Sequence, residues 1–464
     1  MKTLKLALLI LFTAVAPLLA QELKPTLAGI DLKDCDSLVF LGDSITHQCL
    51  YTQYIEDFYY TRYPDRRIHF HNSGVSGDRA ADALARFDED VAAFKPKYVT
   101  ILLGMNDGTY TKFEPEVFAT YEKDMTAAIL SSNAVMSYEK DMTALLDKIA
   151  ALGATAVPMT PTMFDSRAAL VRTKGKVGLR ESYYNSVLAF YGSWLREQAG
   201  IRGLGFVDMY GPLNSLTMEQ RKTDPNFTMI TDAIHPCPGG QVVMATSIIA
   251  DMIPRGPVSG IVIRQNAKTG KHTIAGVNGK GSDIQASDDK ITFTFKANAL
   301  PWVLPPDAAD GYKLTHAGHR YSNEKITVGN LKPGKYELRI DGELVGTYLE
   351  SQLAHGVELE GNEKTPQYQQ ALKVAMLNKE RNDKAVRPLR DKWSQLKRGR
   401  HELAKLEQEG KNDALAAKRD AFEKWLPEFK ANVAKFIELA KEYEDQIYAA
   451  NQPVARKYEI TRVP

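Results

Sequence analysis

Between about residues 36 and 255, short apolar runs alternate with stretches of helical spacing, and this alternation narrows the fold more than any other feature of the 464-residue chain. Ser37–Leu41, Arg67–His71, Tyr98–Leu103, Ala154–Met159 and Leu204–Met209 read as strands. Gln53–Arg62, Arg79–Phe94, Pro115–Leu152 and Glu181–Gln198 read as helices between them, with Gly239–Ile253 as a closing helix. Strand–helix alternation with connections of crossover length implies a parallel sheet covered by helices on both faces. In such sheets the groups that do chemistry gather at the carboxyl ends of the strands.

Beyond Pro254 the pattern changes. Ile291–Phe295 alternates in strand fashion, and Tyr336–Ile340, Asp341-Gly342 and Glu343–Val345 read as a hairpin closed by an Asp-Gly turn. From about 365 to 452 the chain is rich in Lys, Arg and Glu at helical spacing, clearly interrupted only by Pro388 and Gly410. Trp425, Phe429, Val433, Phe436, Ile437 and Leu439 fall largely on one stripe, as in a helix packed on one side and solvated on the other. The length fits two or three domains. The expected division is 21–255 (α/β), 256–360 (β-rich, sandwich-like) and 361–464 (charged, helical).

Residues 1–20 stand apart. Lys2 and Lys5 precede an apolar run, Leu6 to Leu19, and Ala20 precedes the polar Gln21-Glu22-Leu23-Lys24. This is the layout of a secretory signal peptide cleaved after Ala20, which implies a secreted or periplasmic protein; an uncleaved N-terminal anchor is the alternative. Nothing else in the chain reaches the ~20 apolar residues of a membrane span. Lys plus Arg number 59 and Asp plus Glu 57, a net charge of +2, so neither nucleic acid nor an anionic membrane surface is expected as the main partner.

The sharpest chemical signal is Leu41-Gly42-Asp43-Ser44-Ile45-Thr46, where the first strand ends. A serine hydroxyl is a weak nucleophile until a base takes its proton, and an isolated Gly-Asp-Ser is more simply a turn or helix cap. Three later segments change that reading. Asn72-Ser73-Gly74-Val75-Ser76-Gly77-Asp78 follows the second strand, with glycines that let a backbone N–H approach a ligand. Gly104-Met105-Asn106-Asp107 follows the third and brings a side-chain amide to the same edge. Asp232-Ala233-Ile234-His235-Pro236 precedes the closing helix, where a carboxylate three residues from an imidazole can orient it as a base.

These four segments, in this order, resemble the blocks of the SGNH (GDSL-type) hydrolase superfamily, over about 220 residues. The resemblance implies a flavodoxin-like three-layer fold with a five-stranded parallel sheet. It implies Ser44 as nucleophile, His235 as general base and then acid, and Asp232 as its orienter. The oxyanion hole would comprise the Ser44 and Gly77 N–H groups and the Asn106 side chain, each such donor being worth ~3 kcal/mol in the transition state. His47, three residues past Ser44, is a candidate pocket residue.

Neither a metal nor a cofactor is expected. His69/His71 and His316/His319 are close pairs, but no carboxylate or Cys stands at an interpretable spacing from either. Of the three cysteines, Cys35, Cys49 and Cys237, the last two approach each other if the fold is as implied; buried free thiols are the expectation, a disulfide the alternative. Leu353–Leu359 with Thr365-Pro366 is similar to a stretch found after the catalytic domain in some bacterial multidomain SGNH proteins, with no catalytic role attached. Trp302 either stacks on a sugar or is buried at a domain contact. The expected activity is esterase action on short acyl groups, acetyl foremost, with a small acyl ester or an acylated carbohydrate as substrate. A lysophospholipase or thioesterase, and a non-catalytic binding protein on the same frame, are the alternatives.

One repeat interrupts the domain: Tyr121-Glu122-Lys123-Asp124-Met125-Thr126-Ala127 recurs at Tyr138–Ala144. At about 100° per residue, an offset of seventeen falls roughly 100° short of five turns, so one continuous helix would aim the two copies differently. Ser131-Ser132-Asn133 is a natural break and N-cap between them. A local tandem duplication in a surface element fits this pattern. Deleting residues 121–137 is therefore expected to leave solubility and esterase activity largely intact; insoluble or inactive protein would show the duplication to be structural.

Overall fold

A computed structural model describes residues 29–108, 133–172, 180–254 and 256–464. The N-terminal leader and the first copy of the repeat lie outside these residues; the second copy lies in a helix that begins at Asn133.

Strands β1 (Ser37–Gly42), β2 (His69–Gly74), β3 (Tyr98–Leu102) and β4 (Thr155–Pro158) form a parallel sheet of order β2-β1-β3-β4. The alternation along β1 sorts the core into two layers. Leu38 and Phe40 join one apolar cluster, and Val39 and Leu41 join the other. Successive side chains of a strand point to opposite faces, so both faces need cover. Helices α2 (Leu50–Arg62) and α6 (Pro238–Met252) cover the first, while α4 (Asn133–Ala151) and α5 (Arg180–Arg202) cover the second. Two short helices between them, α1 (Ser44–His47) and α3 (Ala80–Ala85), begin at the carboxyl edge of the sheet.

The fifth strand expected at Leu204–Met209 is not formed. Only a parallel bridge, Met159 to Val207, stands in its place, held by the Thr160 N–H on Val207 O at 3.0 Å and the Val207 N–H on Pro158 O at 3.2 Å. Pro158 and Pro161 have no N–H to extend the ladder, and glycines at 203 and 205 weaken the partner segment. Likewise the helix expected over Arg79–Phe94 is broken into three short turns.

The second unit is a β-sandwich. Strands β5 (Ser259–Gln265), β6 (His272–Val277), β7 (Gly279–Ala286), β8 (Lys290–Ala297), β9 (Glu324–Val328), β10 (Lys335–Ile340), β11 (Glu343–Leu349), β12 (Val357–Glu358) and β13 (Arg456–Val463) make two sheets, of order β12-β9-β5-β6 and β11-β10-β13-β8-β7. The β10–β11 hairpin turns through Asp341 and Gly342, both at positive φ (51° and 88°), as the Asp-Gly signal predicts. The boundary expected at residue 360 needs correction, because β13, the C-terminal strand, lies in the middle of the second sheet, antiparallel to β8 and β10. Tyr458 and Ile460 from β13 are buried in the sandwich core beside Phe293 and Leu338.

Between β12 and β13 the chain makes three helices: α7 (Pro366–Arg381), α8 (Arg387–Gln408) and α9 (Asn412–Ala450). A π turn, Asn382–Val386, joins the first two, and Gly410 at φ 66° ends α8. The aromatic stripe of α9 packs against Leu389, Trp393 and Leu396 of α8, and Val75 of the α/β domain completes this cluster. On the other side, α7 covers α2, whose Glu56 and Asp57 are fully buried. Arg381 and Asn382 donate to Glu56 Oε2 at 3.1 and 2.9 Å, and Asn378 donates to Asp57 Oδ1 at 2.9 Å. Trp302, 1% exposed, resolves in favour of a domain contact: its Nε1 donates to Tyr54 O at 3.0 Å and its ring meets Phe58 edge-on. No helix among the described residues is long and apolar enough to cross a membrane.

Because β13 supplies a central strand, removing residues 455–464 leaves β8 and β10 unpaired along two edges. The truncated chain is expected to lose the sandwich's cooperative unfolding transition and become sensitive to limited proteolysis in 256–350; a protease-resistant truncation would refute this role.

Candidate active site

The site is built on the turn that follows β1. Gly42 is required by close approach, since a Cβ there would stand 2.1 Å from Thr46 Oγ1 and 2.9 Å from Leu102 O. Asp43, buried, accepts the Ile45 N–H at 2.9 Å and so caps α1, whose first residue is Ser44. Burial pushes the Asp43 carboxyl up to about 7. Ser44 at the first position of α1 keeps a backbone N–H with no partner inside the helix.

The Asp232–His235 turn meets this serine. His235 Nε2 lies 2.8 Å from Ser44 Oγ, and His235 Nδ1 lies 2.6 Å from Asp232 Oδ2. The other Asp232 oxygen accepts the N–H groups of Ile234 (2.9 Å) and His235 (2.7 Å), so one carboxylate shapes the turn and orients the ring. Ala233 sits at φ 78°, which bends the backbone tightly enough to bring the two side chains together. Burial by itself would raise Asp232, but the His235 backbone and ring N–H groups outweigh it and hold the carboxyl below its ordinary range. A carboxylate on Nδ1 fixes the proton there and leaves Nε2 as the acceptor facing Ser44.

The loop after β2 brings Gly77 to the same edge at φ 74°, a conformation that favours glycine, and Gly77 is exposed. Asn106 Nδ2 donates to Asp78 O at 3.0 Å, which ties the third segment to this loop and leaves a second amide hydrogen free to donate elsewhere. Asp107, whose carboxyl burial pushes up to about 7, accepts the Ala80 N–H at 2.9 Å at the start of α3. All four sequence segments thus meet at one end of the sheet.

His47 does not take the place expected for it. It is 8% exposed, its Nδ1 lies 3.0 Å from Ser76 Oγ and its Nε2 lies 3.2 Å from Asp391 Oδ1, so it links the Gly77 loop to α8 rather than lining a pocket. Cys49 and Cys237 are free thiols; Cys49 is buried, donates to His47 O at 3.1 Å, and is pushed up to about 12 by burial. His71 is buried at 3.0 Å from Asp90, and His69 contacts Glu444. His319 comes together with Glu358 and Glu360, their ligand-type atoms within 4.8 Å; a gap of about forty residues hides this grouping in the sequence. The group lies on the sandwich, and His319 and Glu358 pair with each other at 2.9 Å.

Sequence reasoning missed several residues that hold the site. Gln241 of α6, fully buried, accepts the Tyr51 N–H at 3.0 Å and donates to Gln48 and Pro236 O, joining the nucleophile turn to the His235 loop. Arg390 and Lys397 of α8 reach the Gly77 loop across more than three hundred residues. No local pattern marks such contacts.

Comparisons with known proteins bear on the domain that carries these residues. Residues 40–243 match the GDSL-like lipase/acylhydrolase family. The chain is similar to an acetylxylan esterase of Geobacillus stearothermophilus, 24% identical over 239 residues, which covers 47% of this chain and 94% of that protein. It is also similar over nearly its whole length to the structure of a gut microbial diltiazem-metabolizing enzyme: 26% identity, TM-score 0.78, covering 95% of this chain and 100% of the other.

His47 provides a pH test of the α8 contact. Burial, then the nearby Arg390 and Arg387, hold its imidazole down to about 4 against the pull of Asp391. Between that value and the ordinary 6.5 the unfolded chain binds a proton that the folded chain does not, so the stability linked to His47 is complete above about pH 6.5 and is lost as pH falls. The urea midpoint is expected to fall between pH 7.5 and 4.5, and His47→Gln to reduce that fall while His71 retains part of it. An identical pH slope in His47→Gln would contradict the assignment.

Proposed function

We propose that this chain, through its α/β domain, is a carboxylic ester hydrolase of the GDSL/SGNH lipase–acylhydrolase superfamily, supported by the match over residues 40–243 and the acetylxylan esterase relative, and that it removes short acyl groups, acetyl foremost, by attack of Ser44 on the ester carbonyl. The observation that carries this is the continuous relay Asp232–His235–Ser44, with contacts of 2.6 and 2.8 Å. His235 Nε2 takes the Ser44 proton as Oγ bonds to the carbonyl carbon, and the carbonyl electrons move onto oxygen. The Ser44 and Gly77 N–H groups and the free amide hydrogen of Asn106 receive that charge. Collapse expels the alcohol, protonated by His235, and leaves acyl-Ser44. Water, deprotonated by the same imidazole, then releases the acid and restores the hydroxyl. Asp232 stabilises the imidazolium at both stages.

Similarity to an acetylxylan esterase supports an acetylated carbohydrate as substrate, and the leader-like segment from Lys2 to Ala20 supports action outside the cytoplasm. The full-length likeness to an enzyme named for metabolising diltiazem favours, as a second reading, the acyl ester of a small molecule. Both place a short acyl group on Ser44.

The test compares wild type and Ser44→Ala on acetyl, butyryl and long-chain aryl esters and on acetylated xylan and pectin. Turnover is expected to fall with acyl length, and Ser44→Ala to lose roughly ten-thousandfold or more of kcat. Acetate release from a polysaccharide supports the carbohydrate reading, and release only from small esters the second. A preference for long chains overturns the short-acyl proposal.

A further inference from the structure

The loop that carries Gly77 is held both by its own domain and by the C-terminal helices. Within the α/β domain, the Val75 N–H donates to Gly42 O at 3.1 Å and the Asp78 N–H to Val75 O at 3.1 Å. From the same domain Arg86 Nε donates to Asp78 Oδ2 at 2.8 Å, Asn106 Nδ2 donates to Asp78 O at 3.0 Å, and His47 Nδ1 lies 3.0 Å from Ser76 Oγ. A second set of contacts comes from α8 and α9. Val75, fully buried, inserts among Leu389, Trp393, Leu396 and Phe429. Arg390 Nε donates to Gly74 O at 3.0 Å. Lys397 Nζ lies 2.9 Å from Asp78 Oδ1, 3.4 Å from Asp82 Oδ2 and 3.4 Å from Ser76 O. The same ammonium stands 3.7 Å from where a Cβ on Gly77 would be, so it lies against the residue proposed above as an oxyanion donor. Asp391 adds a fourth contact through His47, which in turn holds Ser76.

We propose that the α8–α9 hairpin is part of the catalytic apparatus, with Lys397 a positioning residue that holds the Ser76–Asp78 backbone in the conformation that aims the Gly77 N–H at the oxyanion. This rests on the hydrolytic reading above. The physical case is one of tolerance. Gly77 is exposed, glycine at positive φ is intrinsically mobile, and an oxyanion donor must be held to within about 0.5 Å to act in the transition state. Arg86, Asn106 and His47 hold the loop at Asp78 or Ser76 only, whereas Lys397 alone engages it on both sides of Gly77, at the Asp78 carboxylate and the Ser76 carbonyl. Lys397 also adds a cation beside Asp78, which Arg86 already pairs, and beside Asp82, and so lowers the negative charge near the developing oxyanion further. Arg390 is fully buried and is the main partner of Asp90, so it is a poor probe; when Lys397 is changed, Asp78 keeps Arg86 as its partner and is not left uncompensated.

The test uses full-length protein and a small aryl acetate, with Lys397→Met and Lys397→Arg beside wild type. Lys397→Met is expected to lower kcat about tenfold, with KM within about twofold and the thermal midpoint close to wild type. Lys397→Arg is expected to recover most of the loss. Amide hydrogen exchange at Gly77 to Arg79 should quicken in Lys397→Met while exchange in β1 and β3 stays unchanged, a readout that remains usable if kcat is obscured by partial unfolding. A wild-type kcat in Lys397→Met, or a loss that spreads equally over KM and stability with no local change in exchange, overturns the inference. A wild type without Ser44-dependent turnover would instead overturn the hydrolytic reading and this inference together.

Discussion

The structure turns on one carboxylate. Asp90, with no exposed surface, sits 2.6 Å from Arg86 Nη1, 2.9 Å from Arg390 Nη1, 2.9 Å from Ser73 Oγ and 3.0 Å from His71 Nε2. Burial alone would push its carboxyl up, but Arg390 foremost, with His71 and Arg86, holds it far below the usual carboxylate range. A buried charge that loses a partner is left uncompensated at a cost of about 3–5 kcal/mol. Arg86 donates onward to Ser73 O at 2.8 Å and to Asp78, and Arg390 to Gly74 O. One ionic cluster therefore joins the end of β2, the loop that carries Gly77, and α8. The carboxyl edge of the sheet and the C-terminal helices cannot separate without breaking it.

Topology makes that cluster economical. The helices are not a free tail but an excursion from the sandwich, leaving after β12 and returning through β13. Both ends are anchored in a sheet, so docking on the α/β domain closes an already short path and costs less chain entropy than for a free terminus. The polar side of α2 is adapted to the same arrangement. Glu56 and Asp57 would be solvated on an isolated α/β domain; here Asn378, Arg381 and Asn382 cover and bond them. The π turn at Asn382–Val386 is what brings Asn382 into reach of Glu56 while α8 continues toward Asp90.

Local rules explain what the sequence made legible. Strands β1 and β3, the closing helix, the Asp341-Gly342 hairpin and the helix ending at Gly410 depend on patterning and turn chemistry within a few residues, and each lies where those rules put it. The four segments of the site were readable because each sits at a strand end or before a helix, where the sheet gathers them. Three features were not. Pro158 and Pro161 cut short a ladder whose hydrophobic pattern alone predicted a fifth strand. β13 is a strand by composition, but only its partners β8 and β10, more than a hundred residues earlier, show that it is central. His47 is close in sequence to Ser44, yet its ring is fixed by Asp391 and Ser76, and proximity along the chain said nothing about direction.

The same non-local contacts answer an electrostatic difficulty that the site creates for itself. Asp43, Asp78 and Asp107 all lie buried around the edge proposed to hold the oxyanion, each a cap or brace: for Ile45, for Arg86 and for Ala80 respectively. Three ionised carboxylates there would oppose the negative charge that ester hydrolysis places on the carbonyl oxygen, and in a poorly solvated site that opposition is strong. Two means reduce it. Burial raises Asp43 and Asp107 to about 7, so neither carries a full charge at neutral pH. Asp78, also raised by burial, is offset by Arg86 from its own domain and by Lys397 from α8. The acetylxylan esterase relative aligns over 94% of its length with less than half of this chain, so that protein lacks the length of chain that carries the hairpin here. In this protein one helix, α8, supplies both a second cation for Asp78, beside Arg86, and added contacts to the Gly77 loop, so docking of that helix reinforces the loop's geometry and its charge balance together.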